Sequence, residues 1–162
     1  KTIIVGIRAY NTNLDLASNQ QALMGYVRSG GNLIVQYNTS SPLLTNQLGP
    51  YPFTITRDRV SVEGAEVLAD YQHPLLIGPN PITASDFEGW IQERGLYFAG
   101  RLSEEYSTPL VMNDPGEDPK TGSLIYAKYG KGTYVYTGLS FFRELPAAVP
   151  GAIKLFINLI EQ

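Results

Sequence analysis

Hydrolysis through a side-chain nucleophile needs a Ser or Cys on a tight strand-to-helix turn, with a His in reach to take its proton. This chain contains no Cys and one His, so thiol chemistry is excluded and only His73 could act as base. Gly138-Leu139-Ser140-Phe141-Phe142 comes nearest to a nucleophile elbow, but Phe142 stands where the second glycine belongs. Pro74 biases His73 toward extended backbone, and a lone His at such a position is ordinarily a hydrogen-bonded structural residue. Gly130-Lys131-Gly132-Thr133 has the look of a phosphate loop, yet Ile125 occupies the place of the first glycine. Arg8-Ala9-Tyr10-Asn11 puts bulky side chains where a dinucleotide fold needs glycines. The acidic run Asn113 to Asp118 lacks the alternating ligand spacing of a calcium loop, and no zinc set can be assembled from one His and no Cys. No cofactor and no metal is therefore expected.

Two further groups could do chemistry. Asp86, Glu88 and Glu93 offer paired carboxylates for acid/base work, although Glu88 more simply completes a capping box with Ser85 and Asp86 complements a helix dipole. Arg8, Tyr10 and Asn11 follow one apolar run, and Gln36, Tyr37 and Asn38 follow another. If both runs are parallel strands, these residues emerge at one carboxyl edge, where open α/β sheets bind ligands. The plainer alternative is that they cap helices and fix loops. Arg57, Asp58, Arg59, Glu93 and Arg94 interrupt apolar segments and could line a site or pair with one another. Trp90 and the 11 Tyr suit stacking on sugar rings, or equally a core.

The elements that would position these groups follow from periodicity. Ile3 to Ile7 is a short β-branched run that reads as a strand covered on both faces. Thr12 or Asn13 can cap a helix carrying Leu16, Leu23 and Val27 to Gly30-Gly31, and Leu33 to Tyr37 reads as a second buried strand. Residues 3 to 37 thus make a strand, helix, strand crossover. Residues 38 to 52 read as a long loop. Val60 and Val62, Glu66 to Ala69, Leu96 to Ala99 and Pro109 to Met112 are shorter strand candidates, and the Ser85/Glu88 spacing predicts a helix from about Asp86 to Ile91. Ser123 to Lys128 and Thr133 to Thr137 flank a tight glycine turn and form a hairpin. Pro150 opens a last helix with Ile153, Phe156, Ile157 and Ile160 on one face, widened by Ala152, Leu155 and Leu159. One α/β domain is predicted, partly parallel, with an antiparallel appendage near its C-terminal end.

The 162 residues are 43% hydrophobic and 17% charged, enough for one domain with a sizeable core. The net charge of -3 and the lack of a basic run argue against a nucleic-acid partner. No apolar stretch approaches the roughly 18 residues a membrane span needs, so no membrane partner is expected. The chain opens without Met on a buried-strand pattern, which suggests a piece of a longer polypeptide.

Gly6-Ile7-Arg8-Ala9-Tyr10-Asn11, the run Tyr26 to Val35, His73-Pro74-Leu75 and the run Tyr129 to Ser140 resemble the class I glutamine amidotransferase-like superfamily, especially its ThuA-like branch. The resemblance spans nearly the whole chain. Leu48 to Phe53, Arg57-Asp58-Arg59 and Gly89 to Phe98 look like the amidotransferase-like domain that follows PIG-L (LmbE-like) deacetylase domains in some bacterial proteins. It implies a flavodoxin-like three-layer α/β/α sandwich with a mostly parallel sheet, in which Ile3 to Ile7 is an internal strand and earlier strands lie upstream. It also implies an upstream domain of the same polypeptide as partner and a glycan as ligand; a Cys-free chain suits periplasm and cytosol alike, and the resemblance favours a periplasmic or secreted location over the cytosol. The family's catalytic Cys would follow the strand at Leu33 to Tyr37. Here that turn reads Tyr37-Asn38-Thr39, so glutamine hydrolysis is ruled out. The expected function is a non-catalytic accessory domain, structural or glycan-binding, for an N-acetyl sugar deacetylase. The alternative is a ThuA-like sugar-processing enzyme using His73, Asp86 or Glu93.

Overall fold

The structure, a computed structural model, describes all of residues 1–162. β1 (Thr2–Val5) and β2 (Asn32–Gln36) pair in parallel from Thr2↔Asn32 to Val5↔Val35, as the crossover pattern predicts. The connecting helix is divided into three pieces: α1 (Ala9–Thr12), α2 (Leu14–Ser18) and α3 (Gln20–Arg28). Asn13 is extended and its side chain accepts from Leu16 N at 3.0 Å, while Asn19 ends the second piece. An Asn side chain competes for backbone groups inside a helix and favours its ends, which is why two of them split what apolar spacing alone joins.

The C-terminal hairpin forms as expected from β9 (Leu124–Tyr129) and β10 (Gly132–Thr137). It is no appendage. β10 also pairs with β2 in parallel, and the main sheet runs β1-β2-β10-β9, with β9 alone antiparallel. Gly130 supplies the positive φ of the turn. Gly132 is required for another reason, since a Cβ there would collide with the Val27 and Gly31 carbonyls where α3 and β2 close on the hairpin.

Side chains alternate across this sheet into two cores. Leu33, Val35, Tyr134, Tyr136, Ile125 and Ala127 face α3 and the loop carrying Leu48 and Phe53. Ile34, Val135, Leu124 and Tyr126 face α6 (Pro150–Ile160). The result is a mixed, mostly parallel α/β fold of the flavodoxin-like kind. Helix α6 starts at Pro150 as predicted, but its buried centre is Ala152, Leu155 and Leu159, and Ile157 is 40% exposed on the rim. At the outer edge, β1 has one neighbour and Ile4 is exposed, so the strand is not covered on both faces as its composition suggests.

Between β2 and β9 the chain makes only short ladders. β3 (Thr54–Ile55) pairs with β7 (Ala99–Gly100), β4 (Arg59–Val60) with β6 (Gly95–Leu96), and β5 (Val67–Ala69) with β8 (Leu110–Met112), all antiparallel. A short α4 (Pro74–Ile77) and a 3₁₀ turn at Ala84–Phe87 complete the excursion. The predicted helix at Asp86 to Ile91 is absent, because the capping box belongs to Thr83 and Asp86 and holds one 3₁₀ turn. Leu96 to Ala99 is not one strand either. Tyr97 takes φ 53, and the backbone changes partners across it, Leu96 N donating to Gly138 O and Ala99 N to Gly122 O. After β10, α5 (Phe141–Glu144) carries the chain to α6.

Candidate functional site

Parallel pairing of β1, β2 and β10 brings three strand ends to one edge: Arg8 after β1, Tyr37 and Asn38 after β2, and Ser140 to Arg143 after β10. Two segments of the excursion join them, Arg57 to Arg59 and Gln92 to Tyr97. Arg8 lies in the left-handed region at φ 58 and donates its N–H to Tyr37 O at 2.8 Å, which ties the first two strand ends together.

Half of this edge is closed by the chain itself. Tyr10 is fully buried and its hydroxyl donates to Gln20. Burial pushes that phenol up to about 12, against the lowering effect of the Gln20 bond. Asn38 is fully buried; its Oδ1 accepts from Tyr10 N at 2.8 Å and its Nδ2 donates to Gln36 O at 3.0 Å. Asn11 donates to Thr39 O at 3.0 Å and Pro42 O at 2.7 Å and accepts from Thr39 N at 2.9 Å. Gln36 is half-buried at the end of β2. Tyr10, Asn11 and Asn38 therefore hold the 38–52 loop and present no free polar atom to a ligand, and for them the loop-fixing alternative describes the geometry.

Arg94 lies beneath the other half. It is 4% exposed and its guanidinium donates to Ala65 O and Phe87 O, joining three loops from inside. Glu93, next in sequence, points to the edge. Its Oε2 accepts from Arg59 Nη2 at 2.7 Å and its Oε1 from Arg143 Nε at 3.0 Å. Asp58 does not join this pairing; it lines a separate cleft with Glu117, Asp118 and Lys120. Arg57, Arg59, Leu96 and Tyr97 line a surface cleft of about 330 Å³. Beside it the Tyr97 and Tyr37 rings stack with centroids 6.0 Å apart and planes 12° apart, Phe142 stands 5.1 Å from Tyr37, and Arg143 lies 5.0 Å over Phe142. Burial raises the Tyr37 phenol, against the charges of Arg8 and Arg143, which lower it. A cleft of similar size under residues 46 to 53 has no charged side chain in its lining.

Arg143 and Phe142 are the residues that periodicity misses. With β10 taken as part of an appendage, its end has no reason to meet Arg8. Once β10 is parallel to β2, the Phe-Phe-Arg that follows it belongs to the ligand edge by topology.

The other catalytic candidates are dispersed. His73 caps α4, its Nδ1 accepting from Leu75 N at 3.2 Å while its Nε2 lies 2.8 Å from Ser107 Oγ, which assigns the proton to Nε2. Burial holds its pKa below the usual imidazole value, against the opposing charge of Asp70. Burial pushes Asp86 up, but bonds from Lys154 and Thr83 together hold its carboxyl below the ordinary value. Lys154 Nζ sits 2.9 Å from both Asp86 oxygens. Ser140 is buried and donates to Glu93 O at 2.7 Å. Burial raises Glu144, but it is sealed from solvent with Oε2 accepting from Ile91 N at 3.0 Å and Oε1 lying 3.1 Å from Ser140 Oγ. His73, Asp86 and Glu93 share no hydrogen-bond partner, and no group of three or more His, Cys, Asp or Glu could hold a metal ion. No helix is long and apolar enough to cross a membrane.

No protein-family model matches the chain, and no curated protein matches it. Among solved structures it is similar to a cytoplasmic protein from Salmonella typhimurium, with a TM-score of 0.59 and 14% identity over 97% of this chain and 69% of that one. A second cytoplasmic protein, from Salmonella typhimurium LT2, gives 0.55 and 12% over 98% and 69%. A beta-galactosidase from Rahnella sp. R3 gives 0.55 and 14% over 98% of this chain, which corresponds to 22% of that enzyme. At such identities these likenesses establish the fold alone.

Proposed function

We propose that this chain is a non-catalytic, amidotransferase-like domain that binds a glycan at the carboxyl edge of its sheet, as an accessory to a sugar-processing enzyme in the same polypeptide. The observation that carries this reading is the exposed half of the edge, where the Tyr97 face, backed by Tyr37 and Phe142, borders a cleft walled by arginines. Aromatic faces take the apolar side of a sugar ring, and polar side chains around them take its hydroxyls. The same edge has no nucleophile next to a base, since Ser140 is buried on a backbone carbonyl and His73 is bonded elsewhere. The beta-galactosidase likeness is compatible with such a role, because there a unit of this fold makes up about a fifth of a carbohydrate enzyme. The resemblance to the domain that follows PIG-L deacetylases supplies the candidate parent reaction, removal of an N-acetyl group from an amino sugar.

Calorimetry with short neutral and acidic glycans and acetylated amino sugars, run beside an assay for released acetate, tests this directly. Binding with no acetate is the expected result. Acetate release by this chain alone, without added zinc, would replace the accessory role with an enzymatic one, and failure to bind any glycan would leave a structural role.

A further inference from the structure

Two arginines share one carboxylate at the open half of the edge. The Glu93 side chain is 5% exposed, and each of its oxygens holds one guanidinium, that of Arg59 or that of Arg143. One negative charge thus faces two positive ones. The Arg59 and Arg143 side chains are 56% and 37% exposed, and their remaining N–H donors have no protein partner. Arg57 lines the same cleft, and Arg8 reaches the edge from β1; neither side chain makes a hydrogen bond within the protein. Of the other carboxylates around them, Asp58 and Glu63 form no ion pair with these arginines, Glu63 accepting instead from Gln92 N, and Glu144 is buried on Ile91 N and Ser140.

The backbone marks the same place independently. Arg8, Gln92 and Tyr97 adopt φ of 58, 63 and 53. Left-handed backbone costs a residue with a Cβ about 1 kcal/mol or more, and such conformations gather where a side chain must be presented in one way. Of the five non-glycine residues of positive φ in the chain, Tyr97 lines the cleft, Gln92 directly precedes Glu93, and Arg8 stands at the end of β1 on the same edge.

We propose that the site takes a sugar bearing a carboxylate, a uronic acid residue, with its ring on Tyr97 and its carboxylate on the free donors of Arg59 and Arg143. This rests on the glycan-binding reading above and specifies its ligand. Guanidinium forks match a carboxylate in a plane, and because Glu93 already fixes both, little side-chain freedom is lost on binding. A phosphate cradle is a poorer match, because the turn after β1 offers Arg8-Ala9-Tyr10 in place of closely packed backbone N–H groups.

The test is calorimetry of the whole chain with trigalacturonate, its methyl ester, chitotriose and inorganic phosphate. The acid should bind at least about tenfold more tightly than the ester, which keeps the ring and removes the charge. Arg59→Gln and Arg143→Gln should each weaken the acid about tenfold, Arg59→Lys should restore part of the loss, and Arg28→Gln, on the far side by Tyr129, should change nothing. In each single variant Glu93 keeps one arginine, and circular dichroism verifies that the fold is intact. Equal binding of acid and ester, or binding of chitotriose alone, would overturn the acidic ligand while leaving a glycan domain. Phosphate binding as tight as the acid would make this a general anion site and overturn the sugar assignment. Silence toward all four, with the fold intact, would overturn the acidic ligand and count against glycan binding as well.

Discussion

The two halves of the carboxyl edge both gather polar and aromatic side chains beside the strand ends, yet they differ in what their polar atoms touch. Tyr10, Asn11 and Asn38 lie under the 38–52 loop, and their side chains bond to backbone or to Gln20. Arg59 and Arg143 are partly exposed beside the half-buried Tyr97, and the two guanidiniums are fixed by Glu93 with donors left over. Position at a strand end is therefore insufficient to identify a binding residue. What separates the halves is whether a side chain still has hydrogen-bonding capacity after the fold has formed.

Substitutions can break that contrast or sharpen it. The largest effect is expected beneath the edge: Arg94→Ala removes the partner of the Ala65 and Phe87 carbonyls and should cost about 3 kcal/mol or more in urea unfolding. A loss below about 1 kcal/mol would show that the excursion does not depend on this internal pin. Asn38→Ala should cost about 1–3 kcal/mol with no ligand present, because Tyr10 N loses its acceptor in a buried site. Were stability unchanged and glycan affinity lost, the closed half would be part of the site. Arg8→Gly relieves left-handed backbone and should hold stability or raise it by up to about 1 kcal/mol, while affinity for an acidic sugar falls. A drop in stability would transfer Arg8 to the structural class.

The smallest effect is a pH slope. The imidazole of His73 is harder to protonate in the fold than in the unfolded chain, because burial disfavours its charged form. Its contribution is complete above about pH 6.5 and is lost as pH falls through that value toward the lower folded-state pKa, since the unfolded chain then binds more protons. Thermal melts between pH 7.5 and 5 should show this decline, and His73→Asn, which can still cap α4, should flatten it. A slope unchanged by the substitution would assign it to another group.

Much of the scaffold was legible in order along the chain. The β1 to β2 crossover, the hairpin and the Pro150 helix start are local patterns and all formed, although β1 ends at Val5 instead of Ile7 and the crossover helix is broken in three. Failures arose where a long-range partner decides. The run Leu96 to Ala99 is apolar enough for one strand, but its amides answer to Gly138 and Gly122 on different segments, and Tyr97 turns between them. Ser85 and Thr83 are both good caps two residues apart, and only the reach of Asp86 back to Thr83 N selects the latter. Ile157 belongs to the apolar stripe of α6 by spacing, whereas the helix buries the neighbouring face of Ala152, Leu155, Asn158 and Leu159 and leaves Ile157 40% exposed. For the site, Arg59 and Glu93 could be picked out as charges in apolar segments. Arg143 could not, because its membership depends on β10 running parallel to β2, and a hairpin sequence conceals the direction of its outer neighbour.

At the opposite end of the sheet, Thr2 Oγ1 donates to Ile160 O at 2.6 Å, and Asn32 Nδ2 donates to Leu159 O at 2.7 Å and to Thr2 Oγ1 at 3.1 Å. First and last elements are thereby stitched to one another by the Thr2 hydroxyl and the Asn32 amide. A unit whose two junctions lie side by side can be carried in the middle of another polypeptide like a parenthesis, with the host chain resuming close to where it left off. By the same geometry, joining Gln162 to Lys1 through a short linker and opening the chain at the Gly116 turn should yield a circular permutant that still folds.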